Sequence, residues 1–258
     1  MRRERGDVNI LFIGDVVGPA GCRHLQRVLP DLRRQYGAQL CICNGENSAE
    51  GNGLGYDSAQ MLLQAGVDVI TTGNHLFKKR EALSLLEEMP HVVRPLNYTR
   101  APGCGWYLFD SIRGQVCVVS LMGTVFMDGL PSPFETMDEF LKDPPCETVV
   151  VDFHAEATSE KRAMGFYLDG RVAAVLGTHT HVQTADAQIL PGGTAYITDA
   201  GMTGPADSVL GVKKEIILER FLTHLPNRFE IASGPCTLCG VALELEGKRA
   251  KNIASFCV

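Results

Sequence analysis

Residues 175–183 of the chain read VLGTHTHVQ, a short apolar run that leads directly into two histidines, His179 and His181. Such a run predicts a buried strand that ends at a loop. In a strand or extended loop, residues two apart point to the same side, so both imidazoles could bind one metal ion or two adjacent ions. The same spacing also occurs on ordinary protein surfaces, so this stretch alone leaves the choice open.

Four other apolar runs also end in side chains that can bind metal. They present Asp15 after VNILFIGD, Glu46 and Asn47 after LCICNGEN, Asn74 and His75 after VITTGNH, and Asp152 and His154 after TVVVDFH. In layered α/β folds, ligands bind at the carboxyl ends of the strands. Five such strand ends in one chain predict a shared site at that edge of the sheets.

Strand and helix patterns alternate along the chain, which is typical of an α/β fold. We predict strands near 8–14, 39–43, 67–72, 116–122, 147–153, 172–177 and 194–198. We predict helices near 21–36, 57–66, 79–88, 134–142, 156–167 and 213–223. Pro30 is expected to bend or break the first helix, and residues 229–258 predict a hairpin that turns at Glu246-Gly247-Lys248. With no linker or repeat, we expect one domain over residues 1–258.

The motifs follow the order found in calcineurin-like metallophosphoesterases: an Asp after the first strand, a bridging carboxylate, GNH, a lone His and GHxH. The chain more specifically resembles the bacterial YmdB-like branch of that superfamily. The matching stretches, between residue 11 and about 205, are LFIGDVVG, NGEN, TTGNH, VRPLN, DFHAEATSEK, GTHTHVQTAD and ITDAGMTGP. The resemblance implies an α/β fold, the four-layer αββα metallophosphoesterase sandwich, with two sheets face to face and helices outside.

The sequence departs twice from the general superfamily pattern. Where that pattern has Asp-x-His after the first strand, this chain has Asp15-Val16-Val17, and Val17 cannot bind metal. Glu46 replaces the usual bridging Asp, and the adjacent Asn47 offers a carbonyl oxygen for the vacated position. The YmdB-like branch shares both departures, so they favour that branch over the rest of the superfamily.

The resemblance implies a site for two divalent metal ions ~3.5–4 Å apart, which is suited to phosphoester hydrolysis. It assigns Asp15, Glu46, Asn47 and His181 to a first ion, and Glu46, Asn74, His154 and His179 to a second. Glu46 is then the bridge. His75 is assigned as the general acid that protonates the leaving oxygen. The mixed imidazole, carboxylate and amide donors suit iron or manganese, and they do not exclude zinc.

The resemblance further implies a phosphodiesterase that hydrolyses 2′,3′-cyclic and 3′,5′-cyclic nucleotides and has a regulatory role in the cell. Two alternatives stay open. One is a metal-binding regulatory protein with little turnover, and the other is a metal-dependent hydrolase of another ester or of a cell-envelope polymer. No motif identifies substrate-binding residues. Arg94, Lys161 and Arg171 lie in the matched segments, but exposed ion pairing is the expected role of each.

Two further motifs point to other enzyme classes and are disfavoured. His154-Ala155-Glu156 and Pro235-Cys236-Thr237-Leu238-Cys239 together match the zinc deaminase signature. The cysteines of a deaminase lie near a helix start, whereas GVALELEG after Cys239 alternates like a strand. The glycines of LFIGDVVGPAG lack the G-x-G-x-x-G spacing of a dinucleotide site.

Cys236 and Cys239 form a single C-x-x-C, which by itself is a weak indication of a zinc or redox site.

Composition limits the partners that the protein can have. A net charge of −6 argues against a stable nucleic-acid complex held by a basic face, so we expect a small phosphodiester or cyclic nucleotide as substrate. No apolar stretch approaches the ~18 residues of a membrane span, and the basic start MRRERGDVNILFIGD lacks the pattern of a signal peptide. We therefore expect a cytoplasmic protein without a membrane partner; whether it forms a homo-oligomer stays open.

The nine cysteines, in the absence of a secretion signal, predict reduced thiols and no disulfide framework. Cys41 and Cys43 are two apart in the second strand, so they are expected to share one face and to lie in the core. His24, His91 and His224 follow no strand end and are expected to be surface or helix residues.

Overall fold

The computed structural model describes residues 7–258, so the basic start of the chain lies outside the described residues. The helices are α1 (Gly18–Tyr36), α2 (Tyr56–Gln64), α3 (Ala82–Glu88), α4 (Pro133–Phe140), α5 (Thr158–Tyr167) and α6 (Lys214–Thr223), with a 3-10 turn at Leu76–Lys78. The strands are β1 (Val8–Ile13), β2 (Asp15–Val16), β3 (Leu40–Asn44), β4 (Val69–Thr71), β5 (Val92–Val93), β6 (Trp106–Ser111), β7 (Gly114–Met122), β8 (Val149–His154), β9 (Ala174–Thr178), β10 (Gln188–Ile189), β11 (Ala195–Ile197), β12 (Met202–Pro205), β13 (Cys236–Glu246) and β14 (Arg249–Cys257).

The strands form two sheets. The first has the order β2-β12-β13-β1-β3-β4-β5, with β14 paired to β13 at its side, and the second has the order β10-β11-β9-β8-β7-β6. Strands β1, β3, β4 and β5 are parallel in the first sheet, as are β7, β8, β9 and β11 in the second. Parallel neighbours carry their carboxyl ends to one edge of a sheet, which is where the predicted metal-binding residues lie.

Three separate apolar cores show how the layers stack. Alternate residues of β1 enter different cores: Leu11 and Ile13 pack with α1, α2 and α3, whereas Ile10 and Phe12 face the second sheet. The outer face of the second sheet packs on α4 and α5 in the third core. Because both faces of the central strands are buried, their sequences are continuous apolar runs. The arrangement is the predicted αββα sandwich.

Most predicted elements are present, and the tail forms the predicted hairpin, with β13 ending at Glu246 and β14 beginning at Arg249. The expectation that Pro30 could break the first helix is wrong. Helix α1 runs unbroken through Pro30, because Leu25, Leu29 and Leu32 on either side of it are all anchored in the first core. Five short or edge strands have no counterpart in the prediction, namely β2, β5, β6, β10 and β12.

The expectation that all cysteines are reduced is also wrong for one pair. Cys239 and Cys257 are joined by a disulfide and face each other in register across β13 and β14. Cys41 and Cys43 are buried free thiols of the first core, as predicted. Cys236 is likewise a free thiol, so the two cysteines of the C-x-x-C motif differ: one is free and the other, Cys239, is in the disulfide. Among residues 7–258, no helix is both long enough and apolar enough to cross a membrane.

Candidate metal centre

The two sheets bring their carboxyl edges together at one place. Residues Asp15, Glu46 and Asn74 follow strands of the first sheet, while His154 and His179 end or follow strands of the second. Asp15, Glu46 and His154 have no exposed surface at all. The site is therefore built from side chains that the packing of two sheets holds in place.

Three side chains converge on Nε2 of His154. This nitrogen is 3.1 Å from Glu46 Oε1, 3.0 Å from Asn74 Oδ1 and 3.0 Å from His179 Nδ1. A single proton on Nε2 cannot serve all three neighbours, whereas a divalent cation can accept lone pairs from every one of them. Ligand atoms of Glu46, His154 and His179 all lie within 4.8 Å of one another. We call Glu46, Asn74, His154 and His179 the His154 cluster.

A buried hydrogen-bond chain fixes the orientation of the His154 ring. Thr178 donates its hydroxyl proton to Asp152 Oδ1 at 2.7 Å, so its oxygen can accept a proton from His154 Nδ1, which lies 2.9 Å away. Asn44 donates to the other oxygen of Asp152 at 3.0 Å. With its proton on Nδ1, His154 turns the lone pair of Nε2 toward the cluster, as metal-binding histidines commonly do.

His179 is oriented in a similar way. Its Nε2 is 3.0 Å from Glu156 Oε2, while Nδ1 faces His154. Burial, together with the charge of His154, lowers the pKa of His179 to about 3. His179 is therefore a neutral imidazole with a free lone pair at neutral pH, which is the form that binds metal.

His154 and Glu46 form the electrostatic pair of the cluster. Burial is the largest single influence and opposes the charged form of His154, but the carboxylates of Glu46, Asp15 and Asp152, Glu46 foremost, together outweigh it and raise the pKa of His154 to about 9. Burial also opposes the charge on Glu46, yet the positive charge of His154 holds the pKa of that carboxyl well below its usual range. A proton and a cation thus compete for the same face of His154.

A second group of donors lies beside the first. We call Asp15, Asn47 and His181 the Asp15 cluster. Asp15 Oδ2 accepts from the backbone N–H of His179 at 3.0 Å, while Oδ1 is buried without a hydrogen-bond partner, 3.6 Å from His181 Nε2. Burial raises the pKa of Asp15. An orphaned carboxylate oxygen facing an imidazole nitrogen fits a cation, because a cation would satisfy both atoms.

Asn47 and His75 interact directly. Asn47 Oδ1 accepts from His75 Nδ1 at 2.8 Å, and the Asn47 amide nitrogen lies 3.2 Å from His181 Nε2. In this orientation the amide turns its nitrogen toward the Asp15 cluster, and a half-turn of the amide would present the oxygen instead. His75 Nδ1 is also 3.2 Å from Glu46 Oε1, and the ring keeps about a third of its surface exposed.

The conformation of the two-histidine loop differs from expectation. His179 and His181 have φ values of 99° and 64°, so the backbone after β9 is left-handed at both residues and not extended. Their imidazoles consequently diverge, with His179 in the His154 cluster and His181 against Asp15.

Among residues 7–258, Arg94, Lys161 and Arg171 form no hydrogen bond or ion pair with a residue of either cluster. Arg94 donates to the backbone carbonyls of Ala101, Pro102 and Pro95, so the expectation of an exposed ion pair is wrong for it. Lys161 does form an ion pair, but the pair is buried. Only Arg171 matches the expectation, through a partly exposed ion pair with Asp138.

Sequence reasoning missed the residues that orient the ligands. The sequence marks Asp152 at its strand end, but it does not connect Thr178 and Glu156 to the site. One signal was available for Asp152: an acidic residue inside the buried run VVVDFH must have buried hydrogen-bond partners. Glu156 stands out only as part of a deaminase motif, and its contact with His179 depends on how α5 approaches β9.

The fold and the clustered donors define a hydrolase of the metallophosphoesterase type, and comparisons with known proteins agree. A family model described as YmdB-like protein matches residues 11–256. The chain is 45% identical over 249 residues to the 2′,3′-cyclic-nucleotide 2′-phosphodiesterase of Bacillus subtilis (strain 168), covering 95% of this chain and 94% of that protein. The chain belongs to the YmdB-like family, as its motifs predict.

Solved structures support the same assignment. A hypothetical protein from Thermus thermophilus matches with a TM-score of 0.93 and 45% identity, over 97% of this chain and 99% of that one. A novel phosphatase from Mycoplasma pneumoniae matches with a TM-score of 0.92 and 35% identity, over 98% of this chain and 94% of that one.

Proposed function

We propose that this protein is a metal-dependent phosphodiesterase that hydrolyses cyclic nucleoside monophosphates, both 2′,3′-cyclic and 3′,5′-cyclic. The observation that carries the proposal is the convergence of Glu46, Asn74 and His179 on Nε2 of His154, each within 3.0–3.1 Å. The named activity of the Bacillus subtilis relative supports the 2′,3′-cyclic substrate class.

We assign one divalent ion to the His154 cluster and a second to the Asp15 cluster, with Glu46 shared between them. Its carboxylate faces His154 on one side, and Asn47 of the Asp15 cluster donates to the same oxygen at 3.3 Å. The donors suit iron or manganese, and zinc is compatible with them. When bound, such ions would polarise the phosphoryl oxygens and lower the pKa of the attacking water.

His75 is suited to protonate the leaving oxygen. Its Nδ1 is held by Asn47 and its backbone N–H donates to Glu46 Oε2 at 3.0 Å, so the ring is fixed beside the shared carboxylate. About a third of the His75 side chain is exposed, and the contacts with Asn47 and Glu46 use Nδ1 of the ring and not Nε2. General acid catalysis of this kind typically contributes ~10²–10⁴ in rate.

The overall charge favours a small substrate. With a net charge of −6 the protein offers no general attraction for a polyanion, so phosphate recognition depends on the local charge of bound cations. The cytoplasmic location expected from the sequence stays a prediction.

Metal analysis followed by a phosphodiester panel tests the proposal. The purified protein should contain close to two equivalents of iron or manganese, and it should hydrolyse 2′,3′-cyclic and 3′,5′-cyclic nucleotides faster than phosphomonoesters. Bound metal without turnover would favour the regulatory binding protein. Turnover confined to other esters or to an envelope polymer would instead favour a different hydrolase.

A further inference from the structure

The loop that carries His179 and His181 is held in an unusual backbone conformation. Both residues have φ values in the left-handed region, at 99° and 64°, which side chains other than glycine rarely adopt. Histidine adopts a positive φ more often than most residues do, but two such residues within three positions are uncommon. An interaction from outside the loop must therefore stabilise it.

Asp15 accepts from the His179 N–H, and the Leu210 carbonyl lies 3.1 Å from His181 Nδ1. Between these two contacts, Asp199 holds Thr180, the residue that separates the histidines. Asp199 Oδ2 accepts from the Thr180 backbone N–H at 3.0 Å and from its hydroxyl at 2.7 Å. The other oxygen, Oδ1, accepts from the Gly201 N–H at 2.8 Å. Asp199 is fully buried and follows β11, the neighbour of β9 in the second sheet.

Lys161 provides the counter-charge of Asp199. Its ammonium donates to Asp199 Oδ2 at 2.7 Å, and its side chain is only 1% exposed. Lys161 lies on α5, so the ion pair connects the helix, the end of β11 and the two-histidine loop. A buried pair of this kind is poor evidence for stability, because desolvation of both charges offsets their attraction.

We propose that the Lys161–Asp199 ion pair is the positioning device of the metal centre. By holding Thr180, it fixes the divergence of His179 toward the His154 cluster and of His181 toward the Asp15 cluster. It thereby sets the distance between the two groups of donors. Within residues 7–258, no hydrogen bond or ion pair joins either charged group to a metal donor, although both lie close enough to interact electrostatically with His179 and Asp15. Their hydrogen-bonded connection to the site therefore runs through the loop. This inference rests on the proposed two-metal function.

Lys161→Met tests the positioning role. Methionine keeps the length of the buried stem but removes the ammonium, which leaves the Asp199 carboxylate without a counter-charge and loosens its hold on Thr180. We expect the affinity of metal-free protein for Mn²⁺, measured by calorimetric titration, to fall ~10–100-fold, the usual effect of losing an outer-shell partner. For a cyclic nucleotide, kcat should fall while KM changes little, and excess Mn²⁺ should restore part of kcat.

Arg33→Met is the control for loss of a long cationic side chain from an ion pair that is distant from the site and only partly buried. Arg33 pairs with Asp68 at 2.9 Å and donates to the Gln39 carbonyl, at the amino ends of β3 and β4. Breaking this ion pair should lower thermal stability without changing the affinity for Mn²⁺. Thr180→Val is a milder variant that removes only the hydroxyl bond to Asp199. It should lower the affinity for Mn²⁺ by less than Lys161→Met, and it decides the question if Lys161→Met does not fold.

The outcomes separate this proposal from the proposed function. If Lys161→Met and Thr180→Val bind Mn²⁺ like the wild type, and only thermal stability falls as in Arg33→Met, the ion pair is structural and the proposal is wrong. If the wild type binds Mn²⁺ without hydrolysing any diester, the proposed function fails while the affinity measurements still test positioning. A wild type that binds no Mn²⁺, Fe²⁺ or Zn²⁺ would overturn both.

Discussion

Gly73 is the residue at which the site leaves no room for a side chain. A Cβ atom there would clash with the His154 ring and would lie 2.5 Å from Glu46 Oε2. Gly73 does not have a positive φ, so its backbone conformation is open to any residue. The glycine of TTGNH is therefore required by the close approach of the second sheet and not by backbone freedom.

Gly73→Ala should consequently damage the metal centre while leaving the fold intact. The added methyl group must displace His154 or Glu46, and we expect the affinity for Mn²⁺ and the turnover of a cyclic nucleotide to fall by ~10–100-fold or more. Gly129→Ala is the matched control, because a Cβ at Gly129 meets nothing within 4 Å and its φ is not positive. Equal activity of both variants would show that the two sheets can separate enough to admit a methyl group.

His75→Ala tests the assignment of the general acid. If His75 protonates the leaving oxygen, turnover of a cyclic nucleotide should fall ~10²–10⁴-fold. Activated nitrophenyl diesters, which need little protonation of the leaving group, should be hydrolysed almost as before. Metal content, measured on the same preparation, should stay unchanged. Loss of metal would identify His75 as a ligand, and equal losses on both classes of ester would exclude the acid role.

At the scale of elements, the long apolar strands and the helices could be predicted because burial on both faces leaves a clear signal. Strands β2 and β5 have only two residues each, and such short pairings depend on the neighbouring strand and not on local pattern. The left-handed backbone at His179 and His181 could not be predicted from local sequence either. It depends on Asp199, a residue about 20 positions away that becomes a neighbour only in the folded sheet.

The disulfide between β13 and β14 gives a prediction for one element. Strand β14 lies at the side of the first sheet, is largely exposed and pairs with β13 at eight positions, and the disulfide adds a covalent link at the end of this ladder. Cys257→Ser should lower the free energy of unfolding by up to ~3 kcal/mol, the value for a loop of about this size. Amide exchange should quicken selectively in β14. Cys104→Ser, which removes an exposed free thiol, should change neither quantity.

At the scale of the whole molecule, the site joins the two halves of the sandwich. Asp15, Glu46 and Asn74 come from the first sheet, and His154 and His179 from the second, so a cation bound among them would stabilise the packing of one sheet on the other. The convergence of these side chains could be predicted from the five strand ends, and their roles as metal ligands stay a prediction. The supporting contacts of Asp152, Thr178 and Glu156 could not be predicted, because they depend on the distance between strands after packing.

The paired shifts of His154 and Glu46 predict how the stability of the metal-free protein depends on pH. The pKa of His154 is raised to about 9 in the folded protein, above its value of ~6.5 in an unfolded chain. The corresponding stabilisation is complete below pH ~6.5 and is lost as the pH rises through about 9. The pKa of Glu46 is lowered, so its contribution is lost only on acidification below its unfolded value of ~4.3, outside this window.

We therefore expect the free energy of unfolding of the EDTA-treated protein, measured with urea, to fall by ~1–3 kcal/mol between pH ~6.5 and ~9. Metal binding requires the deprotonated ring of His154, so the affinity for Mn²⁺ should rise over the same interval. The Mn²⁺-loaded protein should then show little or no loss of stability. In His154→Asn the decline should be absent from the metal-free protein, because no imidazolium remains to lose its proton. A decline that persists in His154→Asn would have to come from another group, and the assignment of the charged pair to His154 and Glu46 would be wrong.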